Sequence, residues 1–158
     1  MNRRRKTITV EPGPIERTIS PEEVESWVKG WIEALPADRT GIHNNSYLWH
    51  VFSYDRYPSV CKAEAHQAYK HQVALEFVLI SNDQDQGIIT KVRPTGCSLE
   101  DWLVFPSNFA WTAAFTHMDG WLGPFFARSS TFAELDLQNR RALAKQAQAA
   151  EAKRKGWA

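Results

Sequence analysis

The sequence predicts an α/β fold of the α+β type: a single domain with a mainly antiparallel sheet of about four to six strands, two packed helices and a C-terminal helical tail. Three observations predict it. The 158 residues suit one domain that buries roughly 70% of its unfolded surface, and a hydrophobic content of 43% supplies the core. Ser20-Pro21-Glu22-Glu23 opens an amphipathic helix. Residues 105–126, FPSNFAWTAAFTHMDGWLGPFF, hold two of the seven tryptophans and five of the eight phenylalanines between turn residues, as a hairpin or meander at the centre of a sheet would.

Taken in order, residues 1–17 read as a flexible basic arm, with at most one edge strand through Thr7, Ile8, Thr9 and Val10 before Pro12-Gly13-Pro14. The α/β domain spans 18–130. Its first helix has Ser20 as N-cap and Pro21 at the first helical position, with Ile19 and Val24 placed for a hydrophobic staple. Val24, Trp27, Val28, Trp31 and Leu35 recur at helical intervals and form one apolar face that ends before Pro36. Residues 38–46 read as a loop, and residues 47–54, rich in aromatic and β-branched side chains, as a strand.

A second helix is expected over 58–72, with Cys61, Ala65, Ala68, Tyr69 and Gln72 along one side. Residues 73–80 follow as a strand, 82–87 as an acidic turn, and 87–92 as the hairpin partner. Ser98-Leu99-Glu100-Asp101 reads as a short helical turn before the apolar residues 102–105. Residues 131–158 form the helical basic tail: Thr131-Phe132-Ala133-Glu134 is a second capping box, and the tail packs through Phe132, Leu135 and Leu137 before extending into solvent.

The net charge of +1 conceals a segregation. Arg3, Arg4, Arg5 and Lys6 stand without an acid in residues 1–10, and six basic residues face only Glu151 in 140–158, which leaves residues 11–139 at −8. An acidic globule between basic ends favours a basic protein partner; nucleic acid would be touched only through the ends, which also serve solubility. Cys61 and Cys97 lack metal or redox spacing and read as reduced thiols. No stretch resembles a secretory leader or a membrane span, so a cytoplasmic protein with no membrane contact is expected.

His117 and Asp119, at the polar tip of residues 116–120, are the pair that acid/base catalysis would use if the protein were an enzyme. No nucleophile motif, phosphate loop or HExxH accompanies them, and the structural reading, a histidine bonded within the turn and an aspartate capping it, takes precedence over a catalytic one. The five histidines, His43, His50, His66, His71 and His117, show no ligand spacing. His66 and His71 would stand roughly 140° apart on a helix, so neither a metal nor another cofactor is expected. Cys61 reads as buried on the small face of its helix and Cys97 as exposed in a loop without a base. Trp27, Trp31 and Trp111 read as core, whereas Trp121, beside Asp119-Gly120, reads as a half-exposed contact residue.

Phe109-Ala110-Trp111-Thr112, Thr116-His117 and Gly123-Pro124-Phe125-Phe126 resemble an uncharacterised family of small bacterial α/β domains with a strand F-x-W-T followed by T-H-E and G-P-[YF]-F. The resemblance covers residues 20–128 and departs at Met118, where that pattern has Glu. Domains of this kind are similar to cytoplasmic immunity proteins, which neutralise toxins by direct binding. The resemblance therefore implies a non-enzymatic toxin inhibitor, and the acidic globule suits a basic toxin. Glu100, Asp101, His117, Asp119 and Trp121 are the expected binding residues.

Overall fold

Residues 77–81, 87–90 and 102–106 are buried at every position, which a sheet achieves only when both of its faces are covered. The computed structural model describes residues 7–35, 58–116 and 123–156. The elements run β1 (Val10–Glu11), β2 (Arg17–Ile19), α1 (Pro21–Ala34), β3 (Val60–Cys61), α2 (Lys62–Lys70), β4 (Phe77–Ser81), β5 (Gly87–Thr90), β6 (Gly96–Cys97), β7 (Trp102–Pro106), β8 (Trp111–Phe115), β9 (Phe125–Arg128) and α3 (Phe132–Arg154). They build a single α+β domain. Its sheet has seven strands in the order β2-β5-β4-β7-β8-β9-β3, antiparallel throughout, and β1 pairs separately with β6.

Seven strands exceed the expected four to six because β2 and β3 close the two edges. With three and two residues, they are too short to show a period-two pattern. The meander expected in residues 105–126 is present, with β7 the middle strand of the seven. The strand expected over 47–54 lies outside the described residues.

Alternate side chains divide the core into two layers. On one face Val24, Val28, Trp31 and Leu35 of the α1 segment pack with Val78, Ile80, Ile89, Leu103, Phe105, Ala114 and Phe125. On the other, Ala65 and Tyr69 of α2 join Phe77, Leu79, Ile88, Val104, Trp111 and Phe126. Ile8 completes that second layer, and Phe132 and Leu135 at the start of α3 pack against it. Burying each large apolar side chain contributes about 1.5–3 kcal/mol.

Sequence explains most of the helix boundaries. Ser20 Oγ accepts the Glu23 amide at 3.2 Å, and Pro21 stands at the helix start, as a capping box requires. The reciprocal half is absent: Glu23 instead takes both guanidinium nitrogens of Arg17, at 2.7 and 2.8 Å, and the Trp27 indole at 3.1 Å. The Arg17 hydrogen bonds hold the Glu23 carboxyl below its usual range. Helix α2 begins later than expected, because Val60 and Cys61 are drawn into pairing with Phe126 and Phe125. At α3 the expected cap fails: Thr131 makes no side-chain cap bond, and Ser129 Oγ accepts the Thr131 amide at 3.0 Å.

Three other expectations change. Residues 98–101 form no helical turn, because Ser98 is engaged with Thr9: its hydroxyl accepts the Thr9 amide at 3.0 Å and its own amide donates back at 2.9 Å. The N-terminal segment is tied down from there to Glu16, whose amide donates to Ile89 O at 2.8 Å. In α3 the inward residue is Asn139, at 6% exposure, while Leu137 is 46% exposed. Asn108 in the β7–β8 turn explains this. Its amide donates to Leu135 O at 3.1 Å, and its oxygen accepts from Asn139 at 3.2 Å, so one polar side chain fixes the rotation of the helix.

Helix α1 is bonded to the sheet face that it covers: the Trp31 indole donates to Thr112 Oγ1 at 2.9 Å, with both residues buried. Thr112→Val keeps the shape and removes that acceptor. Equilibrium denaturation of this variant should give a loss of about 1–3 kcal/mol with an unchanged m-value.

Candidate functional site

The antiparallel register brings several connections to one end of the sheet. Ser81 pairs with Trp102, and Trp102 with Phe115, so the β4–β5 turn, the segment before β7 and the end of β8 are neighbours. The turn is rigid: Ser81 Oγ accepts the amides of Asp85 at 3.2 Å and Gln86 at 3.1 Å and donates to Asp83 Oδ1 at 2.5 Å. The Asn82 amide donates to Asp101 O at 3.2 Å, joining the turn to the segment that carries Glu100. Four carboxylates, Asp83, Asp85, Glu100 and Asp101, therefore belong to one end of the sheet. Glu100 and Asp83 are exposed there, and Asp85 and Asp101 are half-buried.

Of the residues expected to bind, Glu100 and Asp101 are thus placed together at this end. His117, Asp119 and Trp121 lie outside the described residues. Their described neighbours, Thr116 and Gly123, are in contact: a Cβ added to Gly123 would come within 2.9 Å of Thr116 Oγ1. The chain therefore leaves and rejoins the described fold at this same end.

Beside the acidic turn a cleft of about 590 Å³ opens between α2, β6 and the adjoining ends of β7 and β8. Trp102 and Phe115 form its aromatic wall, stacked at 4.1 Å and 14°, and Tyr69 meets Phe115 edge-on at 5.2 Å. Burial pushes the Tyr69 phenol well above its usual range, so it stays protonated and donates to Pro94 O. Arg93 donates through Nη2 to Gln72 O, which holds the guanidinium in the wall. Lys70 of α2 and Glu100 complete the charged lining, and His66 of α2 adds an imidazole.

Sequence reading finds Glu100 but misses the rest of this cleft. Its residues come from positions 66–70, 93–102 and 115–116 and share no spacing; only the strand register unites them. Both cysteines are free thiols, placed the opposite way round from expectation. Cys61 is exposed, because β3 takes it in extended conformation before the helix begins. Cys97 is half-buried in the cleft, and burial pushes its thiol up to about 11. A thiol of that kind is a poor nucleophile near neutral pH. Among the described residues no three His, Cys, Asp or Glu side chains are grouped as a metal site would need, and no helix is long and apolar enough to cross a membrane.

The fold and this end of the sheet define an α+β domain with an acidic turn beside an aromatic-walled cleft. The chain belongs to the DUF4275 family, a domain of unknown function, which matches residues 37–126. The match takes in β3 to β8, the start of β9 and the cleft, while β1, β2, α1 and α3 lie outside it. No curated protein and no solved structure matches the chain.

The thiols give a direct check of the cleft wall. At pH 7.5 iodoacetamide should modify Cys61 at least about tenfold faster than Cys97, with the difference abolished in denaturant. Peptide mass spectrometry of timed samples reads the two rates.

Proposed function

We propose that this protein is a non-enzymatic binding domain of the immunity type, acting in the cytoplasm to neutralise a basic toxin by direct contact. The observation that carries this reading is the gathering of Asp83, Asp85, Glu100 and Asp101, from two separate segments, at one end of a rigid sheet. Charges of one sign on a fixed frame raise the encounter rate with a partner of the opposite sign, and a hydrogen-bonded turn limits the ordering cost on binding. His117, Asp119 and Trp121 are binding residues of this reading on the strength of the sequence alone. Helix α3 starts from the other end, where Arg128 lies over Phe132 and Asn108 of the β7–β8 turn bonds Leu135 O.

A pull-down from the source cells at low salt, using the full chain as bait, tests the reading. It should retain a basic protein, and the purified pair should associate more slowly as salt rises. Reversing charge at the exposed Glu100, which leaves the Ser81–Asp83 bond intact, should slow association by about threefold without changing the melting temperature, whereas trimming 140–158 should leave the rate intact. Retention of no basic protein, or binding indifferent to both salt and charge reversal, would overturn the proposal.

A further inference from the structure

The acidic end and the cleft beside it differ in chemistry. At the turn the side chains are carboxylates; the cleft is lined by Lys70 and Arg93, with Glu100 as its single carboxylate. A basic partner that docks on the turn is not what this lining would select. The volume, about 590 Å³, lies within the range of small-molecule sites, and the walls have the usual makeup of such sites: aromatic faces with a few fixed polar groups.

The aromatic part is held from behind. Trp102 is 6% exposed and stacked on Phe115, and Tyr69 at 5% exposure is tied by its hydroxyl to Pro94, so both rings are fixed in the wall behind the half-buried Phe115. The donors are also placed in advance. Arg93 is anchored to Gln72 O, and its Nε is buried in the wall with no acceptor. Lys70 lies on the exposed side of α2, where its ammonium can reach the mouth. The strand β6 supplies the floor beneath, with Thr95, Gly96 and Cys97. Cys97 is a neutral thiol there and adds no negative charge.

From these features we infer that the cleft is a binding site for a small aromatic carboxylate, its ring against Trp102, Phe115 and Tyr69 and its carboxylate toward Lys70 and Arg93. Glu100, exposed in the same lining, disfavours a second negative charge and so limits the ligand to a monoanion. The site goes beyond the binding of a protein partner and stands or falls separately from it.

Titration of the full ¹⁵N-labelled chain with indole-3-acetate, indole-3-acetamide and tryptamine tests the inference, since the three share a ring and differ in charge. Indole-3-acetate should shift the amides of Thr95, Gly96, Cys97 and Phe115 and bind at least about fivefold tighter than the neutral amide, with tryptamine weakest. Lys70→Glu should abolish that preference for the acid while leaving the amide's affinity unchanged, and Glu100→Gln should tighten the acid by about twofold or more. Shifts of equal size with all three probes, shifts confined to residues away from the cleft, or none at millimolar probe would each refute it.

Discussion

Strand β7 lies between β4 and β8 with all five of its residues buried, and both of its faces must therefore be covered. Leu103 and Phe105 point to one layer and Trp102 and Val104 to the other, so the strand is apolar at positions that a one-sided sheet would leave polar. Helix α1 covers the first face. The second is shared among α2, the N-terminal segment around Ile8 and the first turns of α3. Where tryptophan meets the sheet its polar atom is satisfied: Trp31 donates to Thr112 and Trp111 to Val73 O at 3.2 Å. The frame that results has little freedom in its middle, and its variable chemistry is left to the ends.

Those ends are unlike. At one, Ser81 folds the β4–β5 turn onto Asp83 and links it to the segment holding Glu100, beside a cleft whose lining has more cations than anions. At the other, Asn108 docks α3, and Arg128 lies over the Phe132 ring at 4.7 Å. The meander returns every second connection to the same end of the sheet, which is how carboxylates from the β4–β5 turn and from the segment before β7 come together. Within the acidic end, the turn and the cleft share Glu100 but differ in chemistry, the one lined by carboxylates and the other by aromatic rings with Lys70 and Arg93.

The strong local signals in the sequence correspond to real elements. Ser20-Pro21 starts α1, the staple pair Ile19 and Val24 is buried, and the aromatic stretch 105–126 supplies the middle of the sheet. Signals failed where tertiary partners competed for the same groups. Ser98 looked like a helix cap but bonds Thr9 across the fold, Glu23 gave its cap role to Arg17, and Cys61 was taken from the helix by pairing with Phe125. Leu137 looked like the contact of α3, yet an amide pair, Asn108 with Asn139, sets the helix rotation. The candidate site was legible only at Glu100 and Asp101, since a cleft assembled by strand register leaves no spacing in the chain. Family membership adds that the matched stretch contains the sheet's centre and the cleft, so both belong to the part of the chain that defines the family.

A sheet buried on both faces forms the stable frame, and among the described residues α3 is held to it near its start. Native-state amide hydrogen exchange measures this most directly. The amides of β4, β7 and β8 should exchange only through global unfolding, and those of α3 beyond Asn139 should exchange through local opening at much lower free energy. Equal protection along the whole of α3, or sub-global exchange in β7, would contradict the account.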